Sequence, residues 1–261
     1  MSNVVFHSNV TEKFGAPWTP FAVRGVAGWY DAADPASVVQ SGGLVSQWDD
    51  KSGNDHHAIQ GSSFYQFEYL ADPQGRRAMR LGNSRHMDAN SLTQDANTFF
   101  EAYVVVRLDS FTNFQVFRFD AGTSSSDATF LRGSSDFEVQ QTAFAGDMVF
   151  STQAFLGSQY GSAPAAGAPS IFVMGRDVLS ANGFLGPFIG YPPLPVESGD
   201  YQTFRIGGFL AAGGYLYELI FFGVPGGAGF TTRQKIEGYL AHKWGLTGNL
   251  PAGHPYKTEA P

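Results

Sequence analysis

An acidic turn contains the residues whose types come nearest to a metal site. Residues 48–55 read Trp-Asp-Asp-Lys-Ser-Gly-Asn-Asp, and calcium prefers carboxylate and carbonyl oxygens as ligands. The first ligands to test would be Asp49, Asp50, Asn54 and Asp55. The spacing is not that of an EF-hand, however, and these residue types also stabilise turns through hydrogen bonds to their own backbone. We therefore interpret the segment as a structural turn and expect no cofactor, with calcium as the alternative.

The side chains that most often serve in catalysis are scattered along the chain. His56 and His57 are adjacent, and neighbouring residues of a strand point to opposite faces. No His-Glu-x-x-His pattern that would indicate a zinc site occurs. A glycosidase needs two carboxylates roughly 5 to 10 Å apart, but no Glu lies in the Glu-x-Asp-x-x-Glu pattern of glucanases, and no Gly-x-Ser-x-Gly turn is present. We predict that the protein is not an enzyme.

Aromatic residues make up 15% of the chain, which leaves room for a surface that stacks against sugars. Tyr and Trp rings pair well with pyranose faces while their polar atoms stay in water. The candidate carbohydrate-binding residues are Trp18, Tyr160, Tyr191 and Tyr201. The alternative is that most rings fill the core, which the 24 Phe residues favour.

Charge and hydropathy exclude two classes of partner. The net charge is −7 and Lys and Arg form no cluster, whereas nucleic-acid binding depends on clustered basic residues. No stretch approaches the ~20 apolar residues of a membrane helix, and the first residues do not resemble a signal peptide. We expect a soluble protein made in a cytoplasm, with neither nucleic acid nor membrane as partner.

Short alternating and apolar runs predict a single all-β domain with one C-terminal helix. The helix is predicted over 231–244 because Thr231 and Gln234 fit a capping box, and Gly245 stands where a left-handed cap ends a helix. Residues 245–261 then form an extended strap. Segments 157–169 and 180–199 are rich in small residues and predict long loops. The predicted strands are 26–31, 45–48, 64–70, 78–81, 99–108, 114–119, 129–132, 137–140, 170–176, 202–206 and 215–222.

An extended N-terminal arm is predicted over residues 1–25. One interpretation is that it anchors the protein to a neighbouring subunit by strand addition or by burying aromatic rings. The other is that it adds an edge strand to its own domain, and the pattern does not separate the two. The candidate anchoring residues, including two from the second predicted loop, are Phe6, Phe14, Trp18, Phe184 and Phe188.

Three segments carry a resemblance to a known family. Residues 28–34 read Gly-Trp-Tyr-Asp-Ala-Ala-Asp, residues 42–54 continue through Gln-Trp-Asp-Asp-Lys-Ser-Gly-Asn, and residues 236–257 include Tyr-Leu-Ala-His-Lys-Trp-Gly. Together they resemble concanavalin A-like, laminin-G-like jelly-roll domains, which occur in bacterial surface proteins and in virions of tailed bacteriophages. The resemblance implies an antiparallel two-sheet jelly-roll sandwich over 26–261. It also implies that Trp29, Trp48 and Trp244 lie in the core, and that His254 hydrogen-bonds a carbonyl.

The resemblance implies two functions of different classes. The first is a non-enzymatic structural protein of a tailed-bacteriophage virion, most simply a capsid decoration protein. It would be assembled in the host cytoplasm, would contact other capsid or tail proteins, and would form homo-oligomers or symmetric arrays. The alternative is a carbohydrate-binding module of a tail fibre, baseplate or surface protein that recognises host glycans. Both expectations follow from the resemblance, since a fold alone does not determine function.

Overall fold

The computed structural model describes residues 18–82, 84–90, 100–109, 114–120, 128–133, 138–145, 148–155, 166–175, 178–181, 184–185, 203–208, 213–223 and 229–261. In these residues, 17 antiparallel strands form one continuous network that curls into two packed layers. This architecture confirms the predicted all-β sandwich with a C-terminal helix. No helix within these ranges is long and apolar enough to cross a lipid bilayer.

The first layer, which we call the helix-side sheet, has β17 (Gly214–Gly223) and β8 (Phe100–Leu108) at its centre. Two strands share the other edge of β17. The strand β1 (Val26–Asp31) pairs with its C-terminal half, and β6 (Arg77–Leu81) pairs with its N-terminal end. The strand β5 (Glu68–Ala71) then pairs with β6. Beyond β8 come β13 (Pro169–Gly175), β14 (Val178–Ala181) and β15 (Phe184–Leu185).

The second layer, the outer sheet, has nine strands. Its order is β2 (Val38–Ser41), β3 (Leu44–Trp48), β4 (Ala58–Ile59), β7 (His86–Asn90), β16 (Thr203–Gly207), β9 (Phe114–Asp120), β10 (Ala128–Gly133), β11 (Glu138–Ala145) and β12 (Met148–Phe155). One bridge, between Leu44 and Glu68, joins the two layers at β3 and β5.

Two apolar cores result from the alternation of side chains along the strands. Between the sheets, aromatic rings from both layers meet, with Phe204 and Phe221 only 4.4 Å apart between centroids. The second core lies between the helix-side sheet and the helix, where Ile220 and Phe222 pack on Leu240 and Trp244. The helix therefore covers the outside of one sheet, while on the outside of the other sheet Val39 and Ile59 are exposed to solvent.

The helix α1 runs from Gly229 to Trp244. It begins two residues before Thr231, so the prediction that Thr231 caps it is wrong; Thr231 lies in the first turn instead. The predicted end is confirmed, since Gly245 has φ +70° and the Leu246 N–H donates to Ala241 O at 2.7 Å. This is the hydrogen bond of a Schellman cap.

Several strand boundaries differ from the predicted ones. The strands β2, β4, β7, β12, β14 and β15 were not predicted. Residues 180–181 and 184–185 are strand, so the prediction of a loop over 180–199 is wrong for these four positions. Residues 64–65 belong to a turn rather than to the predicted strand 64–70, which begins only at Glu68. Short strands are easily missed because their stability comes from pairing with distant neighbours rather than from local propensity.

Candidate functional site

Two of the three segments that carry the family resemblance meet at one buried carboxylate, Glu218, and the third joins them through Lys51. Its side chain is fully buried on the helix side of β17. Oε1 accepts a hydrogen bond from Trp29 Nε1 at 2.8 Å, and Oε2 accepts one from Trp244 Nε1 at 2.6 Å. The pairing of β17 with β8 shifts register between Leu216 and Glu218, as at a β-bulge. The shift lets Tyr217 and Glu218 both contribute to the helix side.

Two lysines complete what we call the buried ion network: Asp31, Asp34, Lys51, Glu218 and Lys243. Lys243 Nζ lies 2.7 Å from Asp31 Oδ1 and 2.8 Å from Glu218 Oε2. Lys51 Nζ lies 3.0 Å from Asp31 Oδ2 and 2.8 Å from Asp34 Oδ2. Burial raises the pKa of Glu218, and Lys243 opposes that rise, whereas the hydrogen bond from Lys51 lowers the pKa of Asp34. The network ties α1 to β1 and β17.

The acidic turn uses its oxygen atoms within the chain. Asp50 accepts hydrogen bonds from the backbone N–H groups of Trp29, Ser52 and His56. The Asn54 amide donates to the carbonyls of residues 26 and 27.

The remaining two predicted ligands point elsewhere. Asp49 accepts from Gln47 Nε2 at 2.7 Å, and Asp55 has φ +60° with a side chain that is 90% exposed. Within the described ranges, no three His, Asp or Glu side chains are arranged to hold a metal ion. Asp50 and Asn54 are thus the two of the four that hold the turn through hydrogen bonds to the backbone.

The other residues singled out from the sequence do not come together. Trp18 packs edge-on against Tyr239 of the helix at 5.8 Å, on the side of the molecule opposite the outer sheet. Phe184 begins β15, at the far edge of the helix-side sheet. The remaining predicted residues, Phe6, Phe14, Tyr160, Phe188, Tyr191 and Tyr201, lie outside the described residues.

Predictions about the core are confirmed with one correction. Trp29, Trp48 and Trp244 are 6%, 0% and 5% exposed. His254 is also buried, but its Nε2 lies 3.3 Å from the Glu237 carboxylate and its Nδ1 accepts from Tyr256 N. The expected carbonyl partner is therefore wrong, because the strap crosses the helix where Glu237 points toward it.

The solvent side of the outer sheet carries a row of side chains in register, which we call the outer face. Val39 pairs with Gln47, Gln47 with Ile59, Ile59 with Asp88, and Asp88 with Arg205, across β2, β3, β4, β7 and β16. Their strand neighbours, such as Ala58 and Phe204, are in the inter-sheet core, so these five positions face outward. At about 4.8 Å between strands, the row spans roughly 19 Å.

A bidentate ion pair occupies one end of the described row. Arg205 Nε lies 2.6 Å from Asp88 Oδ1, and Arg205 Nη2 lies 2.8 Å from Asp88 Oδ2. Ile59, beside Asp88, is half exposed, and Val39 at the other end of the row is exposed to the same degree. The outer face thus combines planar charged groups with apolar surface in water.

An aromatic corner adjoins this row, formed by Phe64, Tyr65 and His86. Phe64 is 73% exposed and meets Tyr65 edge-on at 5.0 Å, and Tyr65 lies 5.0 Å from the His86 ring. The turn is anchored because His86 N donates to Tyr65 O at 2.9 Å. His86 is two residues from Asp88 and shares its face of β7. Its Nδ1 faces the Ser84 carbonyl at 2.9 Å, which favours the tautomer whose Nε2 accepts hydrogen bonds.

The arrangement suits a polyhydroxylated ring better than a reaction. Exposed aromatic and aliphatic surface can cover the C–H face of a sugar, and carboxylate and guanidinium groups exchange directional hydrogen bonds with hydroxyls. The sequence alone does not reveal this site, because its residues come from five different strands and only strand pairing aligns them. The adjacent Phe64 and Tyr65 are a local hint, since a strand cannot bury two consecutive side chains on one face.

Comparison with known proteins identifies the fold. No protein-family model and no curated protein sequence matches this chain. Among solved structures, domain 4 of AbnA, a GH43 extracellular arabinanase from Geobacillus stearothermophilus, in complex with arabinotriose, covers 77% of this chain and 93% of that domain, with a TM-score of 0.53 and 13% identity.

Two neurotoxin domains are also similar. The botulinum neurotoxin serotype D binding domain covers 77% of this chain with a TM-score of 0.50 and 9% identity. The binding domain of botulinum neurotoxin DC, in complex with rat synaptotagmin II, covers 76% with a TM-score of 0.52 and 8% identity. This chain spans about half the length of these two proteins, 49% and 48%. At such identities, the likeness shows a shared β-sandwich fold.

Proposed function

We propose that the protein is a non-enzymatic carbohydrate-binding domain and that the outer face is its binding surface. The observation that carries the proposal is the exposed aromatic corner beside the bidentate Asp88–Arg205 pair on the solvent side of paired strands. Folds of this type serve binding in the similar proteins, one of which was solved with arabinotriose bound and another with synaptotagmin II.

The row of side chains favours an extended oligosaccharide over a single sugar. A span of roughly 19 Å across five strands is several times the width of one pyranose ring. Polar groups at Gln47 and at the Asp88–Arg205 pair alternate with the apolar surface of Ile59. Such alternation can bind successive units of a chain by stacking and hydrogen bonding in turn.

We propose a virion of a tailed bacteriophage as the biological setting. The support is the resemblance of the three motif segments, which the buried ion network brings together around Glu218. In that setting the domain would display its outer face while other surfaces contact capsid or tail proteins. Binding to purified phage particles that lack the protein, compared with binding to glycans, tests the setting separately from the ligand.

A glycan array followed by titration of the best oligosaccharide tests the ligand. We expect Phe64→Ala to weaken binding about tenfold, which corresponds to about 1.4 kcal/mol. The matched control is Phe230→Ala, because Phe230 is also exposed, at 58%, but lies on the first turn of the helix. Binding should survive a chelator. An inert array, or equal losses in both variants, would refute the proposal.

A further inference from the structure

The buried ion network places an amine against a carboxylate where both side chains are largely buried. Lys243 Nζ is 2.7 Å from Asp31 Oδ1, and the two side chains are 19% and 6% exposed. Three rings surround the ammonium group, with centroids 6.0, 5.4 and 5.3 Å away for Trp29, Tyr239 and Trp244. Two groups held in contact in this way react with effective concentrations of roughly 10⁵ M or more.

We propose that Lys243 and Asp31 condense spontaneously to an isopeptide bond between Nζ and Cγ, with Glu218 as the proton relay. The bond would join β1 to the helix, across most of the chain, in a protein without cysteine. This inference does not depend on the ligand of the outer face.

The atoms balance with loss of one water and without an oxidant. One proton passes from the Lys243 ammonium to Asp31 Oδ1, giving a neutral amine and a carboxylic acid. The amine nitrogen attacks Cγ, and the negative charge that develops on Oδ2 is stabilised by Lys51 Nζ at 3.0 Å. Glu218 takes a second proton from the nitrogen and returns it to Oδ1, the Cγ–Oδ1 bond breaks, and water leaves.

The position of Glu218 fits the relay. Its Oε2 is 2.8 Å from Lys243 Nζ, close enough to accept a proton from the nitrogen. Burial raises the pKa of this carboxyl, which makes it a better proton carrier than an exposed glutamate. Both of its oxygens are held by indole N–H groups, so its orientation is fixed relative to the reacting pair.

Other carboxylates near the two lysines are poorer partners. Asp34 contacts Lys51 at 2.8 Å, but its side chain is 37% exposed and that of Lys51 is 25% exposed. Water therefore keeps that pair ionised and competes with attack by the amine. Glu218 itself also touches Lys243, yet the two indole N–H groups hold its oxygens in place, and among the described residues it has no second cation against it comparable to Lys51 on Asp31.

Intact-mass spectrometry of the full chain tests the bond directly. The wild-type protein is expected to be lighter than its sequence mass by one water, and Lys243→Arg and Glu218→Gln are expected to keep the full mass. Lys257→Arg is the control, since its Nζ contacts backbone carbonyls only, and should still lose water. In the Asp31→Asn protein the same bond would form with loss of ammonia instead of water. A purely ionic contact between residue 31 and Lys243 would leave the mass unchanged.

Peptide mapping identifies the linked residues. Trypsin should yield one species that joins residues 25–51 to residues 236–257, with no cleavage after Lys243. A folded wild-type protein that keeps its full sequence mass after prolonged incubation would overturn the proposal. So would a link from Lys243 to the peptide 206–233, which contains Glu218, or a link confined to Lys51.

Discussion

Gly238, in the middle of the helix, is where the C-terminal strap crosses α1 most closely. A methyl group placed there would lie 2.4 Å from Tyr256 Cβ and 2.8 Å from Tyr256 Cγ. Contacts under 3.0 Å force one of the two segments to move. We therefore predict that Gly238→Ala displaces the strap, although alanine in a helix interior is intrinsically favoured over glycine by about 1 kcal/mol.

The magnitude follows from these two opposed effects. Overpacking a well-packed contact costs about 1–3 kcal/mol, and relief through strap movement gives up the hydrogen bond of His242 to Tyr256 O and the contact of His254 with Glu237. Each lost hydrogen bond costs about 1 kcal/mol. When the gain in helix propensity is subtracted, the free energy of unfolding falls by about 1–2 kcal/mol. This lowers Tm by roughly 2–8 °C in a chain of this size.

Thermal unfolding and limited proteolysis measure the two consequences. Gly238→Ala should lower Tm and should speed tryptic cleavage after Lys257, whose Nζ donates to the carbonyls of residues 247, 248 and 250. Gly253→Ala is the matched control, because nothing lies within 4 Å of its added Cβ. A Gly238→Ala protein as stable as the wild type, or more stable, would refute the contact as described.

Three further predictions concern stability at low pH, the outer face and the strap. Burial tends to raise the pKa of Asp72, but hydrogen bonds from Tyr217 and Arg76 lower it overall; its stabilisation is therefore present above about pH 4 and is lost as pH falls through the lowered pKa. Asp72→Asn should lower the free energy of unfolding, measured with denaturant at neutral pH, by about 3 kcal/mol. It should also make the loss of stability at low pH less steep. An unchanged free energy of unfolding would contradict this. Ile59→Asp should abolish glycan binding in titration without changing Tm, since Ile59 is half exposed; retained affinity would count against the outer face. Lys257→Met should lower the free energy of unfolding by about 1–2 kcal/mol, and an unchanged value would show that its three carbonyl contacts contribute nothing.

The sequence predicted the core of the motif segments but not the partners that join them. The family resemblance of the motif segments implied that Trp29 and Trp244 are core positions, and both are buried. Glu218, which receives both of their indole N–H groups, looked like one of several isolated acidic residues. Trp29 and Glu218 are 189 residues apart in the chain, and only strand pairing between β1 and β17 brings them together.

The candidate site could not be predicted for the same physical reason. Each member of the outer face lies on a different strand, and a one-residue change in register would turn it toward the core. The strand β4 has only two residues, yet it places Ile59 between Gln47 and Asp88. Local patterns carry no information about such pairings, and the sugar-stacking residues predicted from the sequence are therefore different ones.

The most direct test of the account is to map glycan binding onto the chain by amide chemical shifts. The best oligosaccharide from an array would be titrated into isotope-labelled full-length protein. The account predicts shifts that concentrate at residues 58–59, 64–65, 86–90 and 203–207, on the outer face and the aromatic corner. Shifts confined to the helix, the strap or the acidic turn, or no shifts at saturating glycan, would contradict it.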